Sequence, residues 1–221
     1  MKTYASDLTS IPSWLGTYGD QTGKTLDADF GFGPDGMYFN GNSSGAAYSV
    51  RTNWSISGHQ ACEVIFTADH NNFCSDQGIC FYNDGQSPNW NWNPDSSRIA
   101  FSINCPVPNI YGTNKFANNS GEHYGVYDDY CVGGPGPCPE NGSEVLGLGL
   151  YTFKVTYNPA ARTVTAVTYE GADTLGTVID TIVLHEKLMN GGSYRIGFDA
   201  DNDAGTAYFK SLTINVYETN G

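Results

Sequence analysis

The chain has 221 residues, of which 39% are hydrophobic, 15% charged and 14% aromatic, with 27 Gly and 15 Tyr. That length suits one large β-domain, and a disordered chain would carry fewer aromatics. A formal net charge of −13 with only 10 Lys plus Arg repels phosphate backbones and anionic bilayers, which argues against nucleic acid and membrane surfaces as partners.

Residues 1–35 read as an N-terminal arm with a first strand, and 36–221 as the folded unit. Met1-Lys2-Thr3-Tyr4-Ala5-Ser6-Asp7 lacks the apolar core of a secretory signal, and no run approaches the ~20 apolar residues of a membrane helix. Gly36–Asn40 and Ala46–Thr52 are expected to pair as a hairpin around Gly41-Asn42-Ser43-Ser44-Gly45. That loop matches the Gly-x-Ser-x-Gly string of serine hydrolases, but a strand follows it rather than a helix, so it reads as a turn.

From Gln60 to Ala68, Cys62, Val64, Phe66 and Ala68 alternate with Glu63, Ile65 and Thr67, the period of a half-buried strand. Gly78–Asn83 is short and apolar. Asn89-Trp90-Asn91-Trp92-Asn93-Pro94 follows. Its indoles are suited to stacking on sugar faces while the Asn amides bond hydroxyls, and loop packing is the plainer reading. Arg98–Asn104 places Ile99, Phe101 and Ile103 on one face. Pro106–Ser143 then reads as a long irregular stretch.

Strands resume with Tyr151, Phe153, Val155 and Tyr157, which turn through Asn158-Pro159-Ala160-Ala161 into Thr163–Glu170, a hairpin. Thr177–Leu184, Ser193–Asp199 and Thr206–Glu218 follow, with one helical turn expected over His185–Met189. In the last strand the apolar phase slips between Phe209 and Leu212, which predicts a bulge near Lys210-Ser211. So many strands joined by turns imply a sandwich or barrel.

Cys62, Cys74, Cys80, Cys105, Cys131 and Cys138 make an even set, which suggests disulfides and an oxidising setting. Cys131 and Cys138 bracket a tight Gly/Pro loop and are the first pair expected. Reduced core thiols, and a zinc site from His70, Cys74, Cys80 and Cys105, remain alternatives, although no Cys-x-x-Cys spacing is present. A virion or other extracellular protein without a signal would reconcile the cysteines with the N-terminus. Asp199, Asp201, Asn202 and Asp203 offer the hard oxygens that calcium takes, so Asp199, Asp201 and Asp203 are candidate calcium ligands. An Asp/Asn turn explains them as well.

Ser75-Asp76-Gln77-Gly78-Ile79-Cys80-Phe81 resembles the Asp-Gly-Leu-Ala-Phe run of L-type (legume-like) lectins, with one extra residue after the Asp. Tyr151–Glu170 is similar to the family's paired back strands. Ser193-Tyr194-Arg195-Ile196-Gly197-Phe198-Asp199-Ala200 resembles the segment ending Val-Gly-Phe-Ser-Ala, and Tyr208–Val216 matches the closing strand. The resemblance covers most of residues 36–217. It implies an all-β, concanavalin A-like antiparallel sandwich (jelly roll) that binds carbohydrate and is not an enzyme.

On that resemblance Asp76 is the carboxylate that accepts hydrogen bonds from sugar hydroxyls, and Asp201, Asn202 and Asp203 frame the same pocket. The expected partners are a glycan or polysaccharide and other virion or surface subunits, with a homo-oligomer left open. One departure is clear. Family members that hold calcium and manganese carry Glu-x-Asp on the strand matching Arg98–Asn104, where this chain has Phe101-Ser102-Ile103. A sandwich glycosidase needs paired carboxylates ~5–5.5 Å apart, and the strands as read offer no acidic i, i+2 pair. A decoration protein that reuses the sandwich for assembly is the main rival.

Overall fold

The computed structural model describes residues 1–18, 30–40, 47–70, 75–83, 99–104, 107–112, 146, 149–184, 192–202 and 206–218, and among these all helix-or-strand structure is strand. At some strand ends, including 75–77 and 199–202, the description is of backbone register.

One sheet runs in the order β13 (Val178–Leu184), β12 (Thr163–Glu170), β11 (Gly149–Asn158), β7 (Cys62–His70), β15 (Thr206–Val216), β4 (Gly36–Asn40), β3 (Phe30–Gly33), with β1 (Lys2–Ser6) also on β15. The other runs β10 (Val107–Gly112), β9 (Ile99–Asn104), β8 (Ser75–Asn83), β14 (Ser193–Asn202), β5 (Ala47–Thr52), β2 (Leu15–Tyr18), with β6 (Ile56–Ser57) also on β14. Every pairing is antiparallel. This is the all-β antiparallel sandwich that the alternation allowed, and the concanavalin A-like form of it that the resemblance implied. Residues 1–35 contribute β1, β2 and β3, each paired within one of the two sheets.

The alternating residues fill the space between the sheets. Cys62, Val64, Phe66 and Ala68 of β7 are fully buried, as are Phe153, Val155 and Tyr157 of β11. From the other sheet come Val50, Ile79, Phe81, Tyr194, Ile196 and Phe198. Phe66 joins the two layers, stacking on Phe153 with centroids 5.0 Å apart and meeting Phe198 edge-on at 5.8 Å. Phe198 in turn lies 4.5 Å from Phe209. Each such side chain contributes about 1.5–3 kcal/mol by leaving water, so this ring cluster is a main anchor between the sheets.

Two local devices shape the strands near their ends. β14 changes neighbour from β5 to β6, and Thr52 spans the change. Its fully buried hydroxyl accepts from the Ile196 N–H at 3.1 Å and donates to the Trp54 carbonyl at 2.6 Å. β15 carries the expected bulge: Phe209 pairs with Ala68 and Ser211 with Thr67, leaving Lys210 surplus. The turn from Gly33 to Gly36 packs beside it. Gly36 has φ +106°, and a Cβ there would collide with the Phe209 carbonyl, so both the backbone angle and the space require glycine.

Three sequence expectations are corrected. Gly36–Asn40 and Ala46–Thr52 do not form a hairpin: β4 pairs with β15 and β3, whereas β5 pairs with β14 and β2 in the other sheet. Local turn chemistry does not distinguish a hairpin from a crossover between layers. The stretch from Pro106 is not irregular at its start, because β10 pairs with β9 over Val107–Gly112. Pro108 is tolerated there because β10 is an edge strand. The six cysteines do not form three bridges, since Cys62 is a free thiol within the core. Burial, reinforced by the neighbouring Glu63 charge, pushes that thiol far above its ordinary range, so it is inert as a nucleophile. Cys131 and Cys138, and the turn expected at His185–Met189, lie outside the described residues.

Candidate functional site

The ends of β4, β7 and β14 lie at one pole of the sandwich, and from each the chain passes to a strand of the opposite sheet: β5, β8 and β15. Asp76 stands at the start of β8 and Asp201 at the end of β14, and the two are direct register partners. Ser75 faces Asn202 and Gly78 faces Asp199 in the same ladder, while Ala47 and Ser49 of β5 pair with Asp201 and Asp199 on the other side. The register is continuous from Ser75 to Asn83.

Ile79 and Phe81 of β8, with Tyr194, Ile196 and Phe198 of β14, are buried toward the core. Positions 76, 199 and 201 have the opposite parity and belong to the outer face of the sheet. The backbone therefore gathers three carboxylate-bearing positions from two segments distant in sequence. Directly opposed positions have Cβ atoms about 4.5–5.5 Å apart.

This overturns one expectation. β14 runs on to Asn202, beyond the Asp199 limit read from the sequence, so Asp199 and Asp201 form an acidic i, i+2 pair on one face. Trp90, Trp92 and Asp203 lie outside the described residues, as do the side chains of the zinc alternative His70, Cys74, Cys80 and Cys105. β9 is a strand, as read from the sequence, and pairs with β8; it bears no acidic residue. The chain does not fit the usual paired metal site of the lectins on that strand. Among the described residues no group of three or more His, Cys, Asp or Glu stands ready to hold a metal.

The scaffold under the site is well tied. Arg51, 3% exposed, pairs with Gly197 and Gly16 on neighbouring strands. Arg195 donates to the Thr52 carbonyl at 3.2 Å. Asn53 begins an Asn-Trp-Ser sequon, yet its side-chain amide donates to the carbonyls of Ser13 and Leu15 at 3.0 and 3.2 Å, so it serves to dock the N-terminal segment. The sequence reading missed these ties because each joins residues far apart in the chain.

No protein-family model matches the chain, and none of the curated proteins matches it in sequence. Solved structures do match in fold. The chain is similar to a seed lectin of Lotus tetragonolobus, with a TM-score of 0.68 at 9% identity over 100% of both chains. It is similar to the winged bean acidic lectin complexed with methyl-α-D-galactose, with a TM-score of 0.62 at 10% identity over 98% of this chain and 100% of that one. It is also similar to the Emp47p carbohydrate recognition domain, with a TM-score of 0.58 at 16% identity over 96% and 94%. The described residues have the legume-lectin sandwich fold.

Proposed function

We propose that this chain is a non-enzymatic, lectin-like carbohydrate-binding domain whose site lies at the pole marked by Asp76 and Asp201. The observation that carries this reading is the register pairing of those two residues where β8 and β14 meet. A carboxylate suits the task because it offers several acceptor sites to vicinal hydroxyls. Similarity in fold to a winged bean lectin complexed with methyl-α-D-galactose supports a hexose-type ligand. Asp76 is the sugar-hydroxyl acceptor, Asp201, Asn202 and Asp203 frame the pocket, and Trp90 and Trp92 supply stacking surface. Calcium, held by Asp199, Asp201 and Asp203, is the metal this donor set would favour. Its charge would offset the crowding of acids. A Cys131–Cys138 bridge would suit work outside the reducing cytosol, on a virion or other exposed surface.

A glycan array with the native chain and Asp76→Ala tests the reading. Binding by the native chain, lost in the variant, is expected. No bound glycan would turn the assignment toward a decoration protein that uses the sandwich for assembly.

A second reading, glycoside hydrolysis, is favoured by one observation: Asp199, Asp201 and Asp76 are carboxylate-bearing positions on one sheet face. Retaining chemistry needs two carboxyl groups about 5–5.5 Å apart. Release of reducing ends from β-glucan or alginate-like polymers, abolished by Asp201→Asn, would establish it over the lectin assignment.

A further inference from the structure

We propose that Tyr38, Tyr208, Asp69 and Lys210 form a second saccharide-binding site, on the outer face of the eight-stranded sheet and separate from Asp76 and Asp201. Alternation on β4 and β15 sends Met37 and Phe209 into the core, where both are fully buried. Their neighbours Tyr38 and Tyr208 therefore stand on the solvent side, as register partners. Their rings lie 6.4 Å apart at 52°. Neither ring is needed to fill the interior.

The residues around the ring pair have the chemistry of sugar recognition. Tyr208 is also the register partner of Asp69, whose neighbour Ala68 is fully buried, so Asp69 is a carboxylate on the same outer row as the rings. On the far side Tyr38 pairs with Gly31, and a Cβ at Gly31 would lie 2.5 Å from the Tyr38 hydroxyl. Glycine leaves room for the phenol to lie across the β3 backbone. The bulge adds the donor. Lys210, surplus to the ladder, sets its ammonium 4.9 Å from the Tyr208 ring centroid and 3.9 Å from the Asp35 carboxylate. Bulges re-aim side chains in this way beside functional sites.

The row thus offers the ring surface left open by Lys210 and the β3 backbone for sugar C–H groups, a carboxylate acceptor and an ammonium donor for hydroxyls, all on paired strands. Both rings are half-buried, so little side-chain freedom remains to be lost on binding. An uncharged, hydroxyl-rich ring fits this mixture better than a peptide: the polar groups carry both signs, and the apolar area is only two rings wide.

The test is titration of the native chain with methyl galactoside, N-acetylgalactosamine, methyl mannoside and cellobiose, following the tyrosine ring signals by NMR. Tyr208→Leu, Tyr208→Phe and Asp76→Ala are measured alongside, with thermal unfolding as the check on folding. At least one sugar is expected to shift the Tyr38 and Tyr208 signals in the native chain and in Asp76→Ala. Read on the remaining Tyr38 signals, Tyr208→Leu should weaken binding by about tenfold or more, and Tyr208→Phe should hold it to within about threefold of native, because the ring face and not the hydroxyl does the stacking. A response that survives Tyr208→Leu, or that vanishes with Asp76→Ala, overturns this site. So does the absence of any tyrosine response. Binding lost in Asp76→Ala alone supports the first site and sinks the second. Binding that depends on Tyr208 but not on Asp76 does the reverse.

Discussion

Asp76 and Asp201 sit directly opposite one another in the ladder between β8 and β14. Like charges at directly opposed strand positions are destabilising. Asp201→Asn is expected to raise the midpoint of urea unfolding slightly while weakening glycan binding. Parallel unfolding and array measurements check both directions. A variant less stable than the native chain would show that the acids are already compensated.

The free thiol of Cys62 predicts a simple labelling pattern. In the folded chain Cys62 should resist iodoacetamide for hours. In denaturant without reductant it should alkylate fully, and peptide mass mapping will show whether it does. Cys62→Ser puts a hydroxyl into an apolar site at a cost of about 1–3 kcal/mol, so it should lower the unfolding midpoint more than Cys62→Ala does.

Lys154 donates to Glu63 at 2.7 Å on the outer face of the larger sheet, and Asn215 also donates to Glu63 at 3.1 Å. The hydrogen bond to Glu63 raises the Lys154 pKa above its usual 10.5. A raised folded-state pKa gives stability that is fully present below the unfolded value and lost as pH climbs through the folded one. The Lys side chain is 33% exposed, so Lys154→Met should cost only about 1 kcal/mol or less. The deficit against the native chain should hold at pH 7 and shrink above pH ~10.5, as thermal unfolding at the two extremes will report.

Thr52 offers a sharper loss. Thr52→Val keeps the shape but strands the buried Ile196 N–H, which costs about 1–3 kcal/mol. Thr52→Ser keeps the hydroxyl and should recover most of that. Equilibrium unfolding in urea separates the two variants. Equal midpoints would mean that water or a shifted backbone replaces the bond.

Much of the fold was legible because the pattern along each strand is local. The alternation from Cys62 to Ala68 named a buried face, and the apolar slip after Phe209 located a bulge near Lys210-Ser211. What could not be read was pairing. Asn42, Ser43 and Ser44 carry turn chemistry, and a chain that changes sheets uses the same residues as one that folds back. The end of β14 was read short because Asp199 to Asn202 looks like a turn, although β8 and β5 hold it in two ladders. For the candidate site, the residues were named singly from the resemblance. That Asp76 and Asp201 face each other is a property of topology, and no spacing in the chain announces it. The ring pair of Tyr38 and Tyr208 was missed for the same reason.

The bulge at Lys210 has a genetic consequence. Because Phe209 and Ser211 pair with consecutive residues of β7, deleting Lys210 would turn an interrupted ladder into a regular one. Phe209, Leu212 and Ile214 would keep their inward places. A single codon can therefore be lost at this point in the strand without a frameshift in the pleat. Insertions elsewhere in β15 would turn the core face outward. A one-residue change here alters the outer surface of the strand while the packing beneath it stays the same.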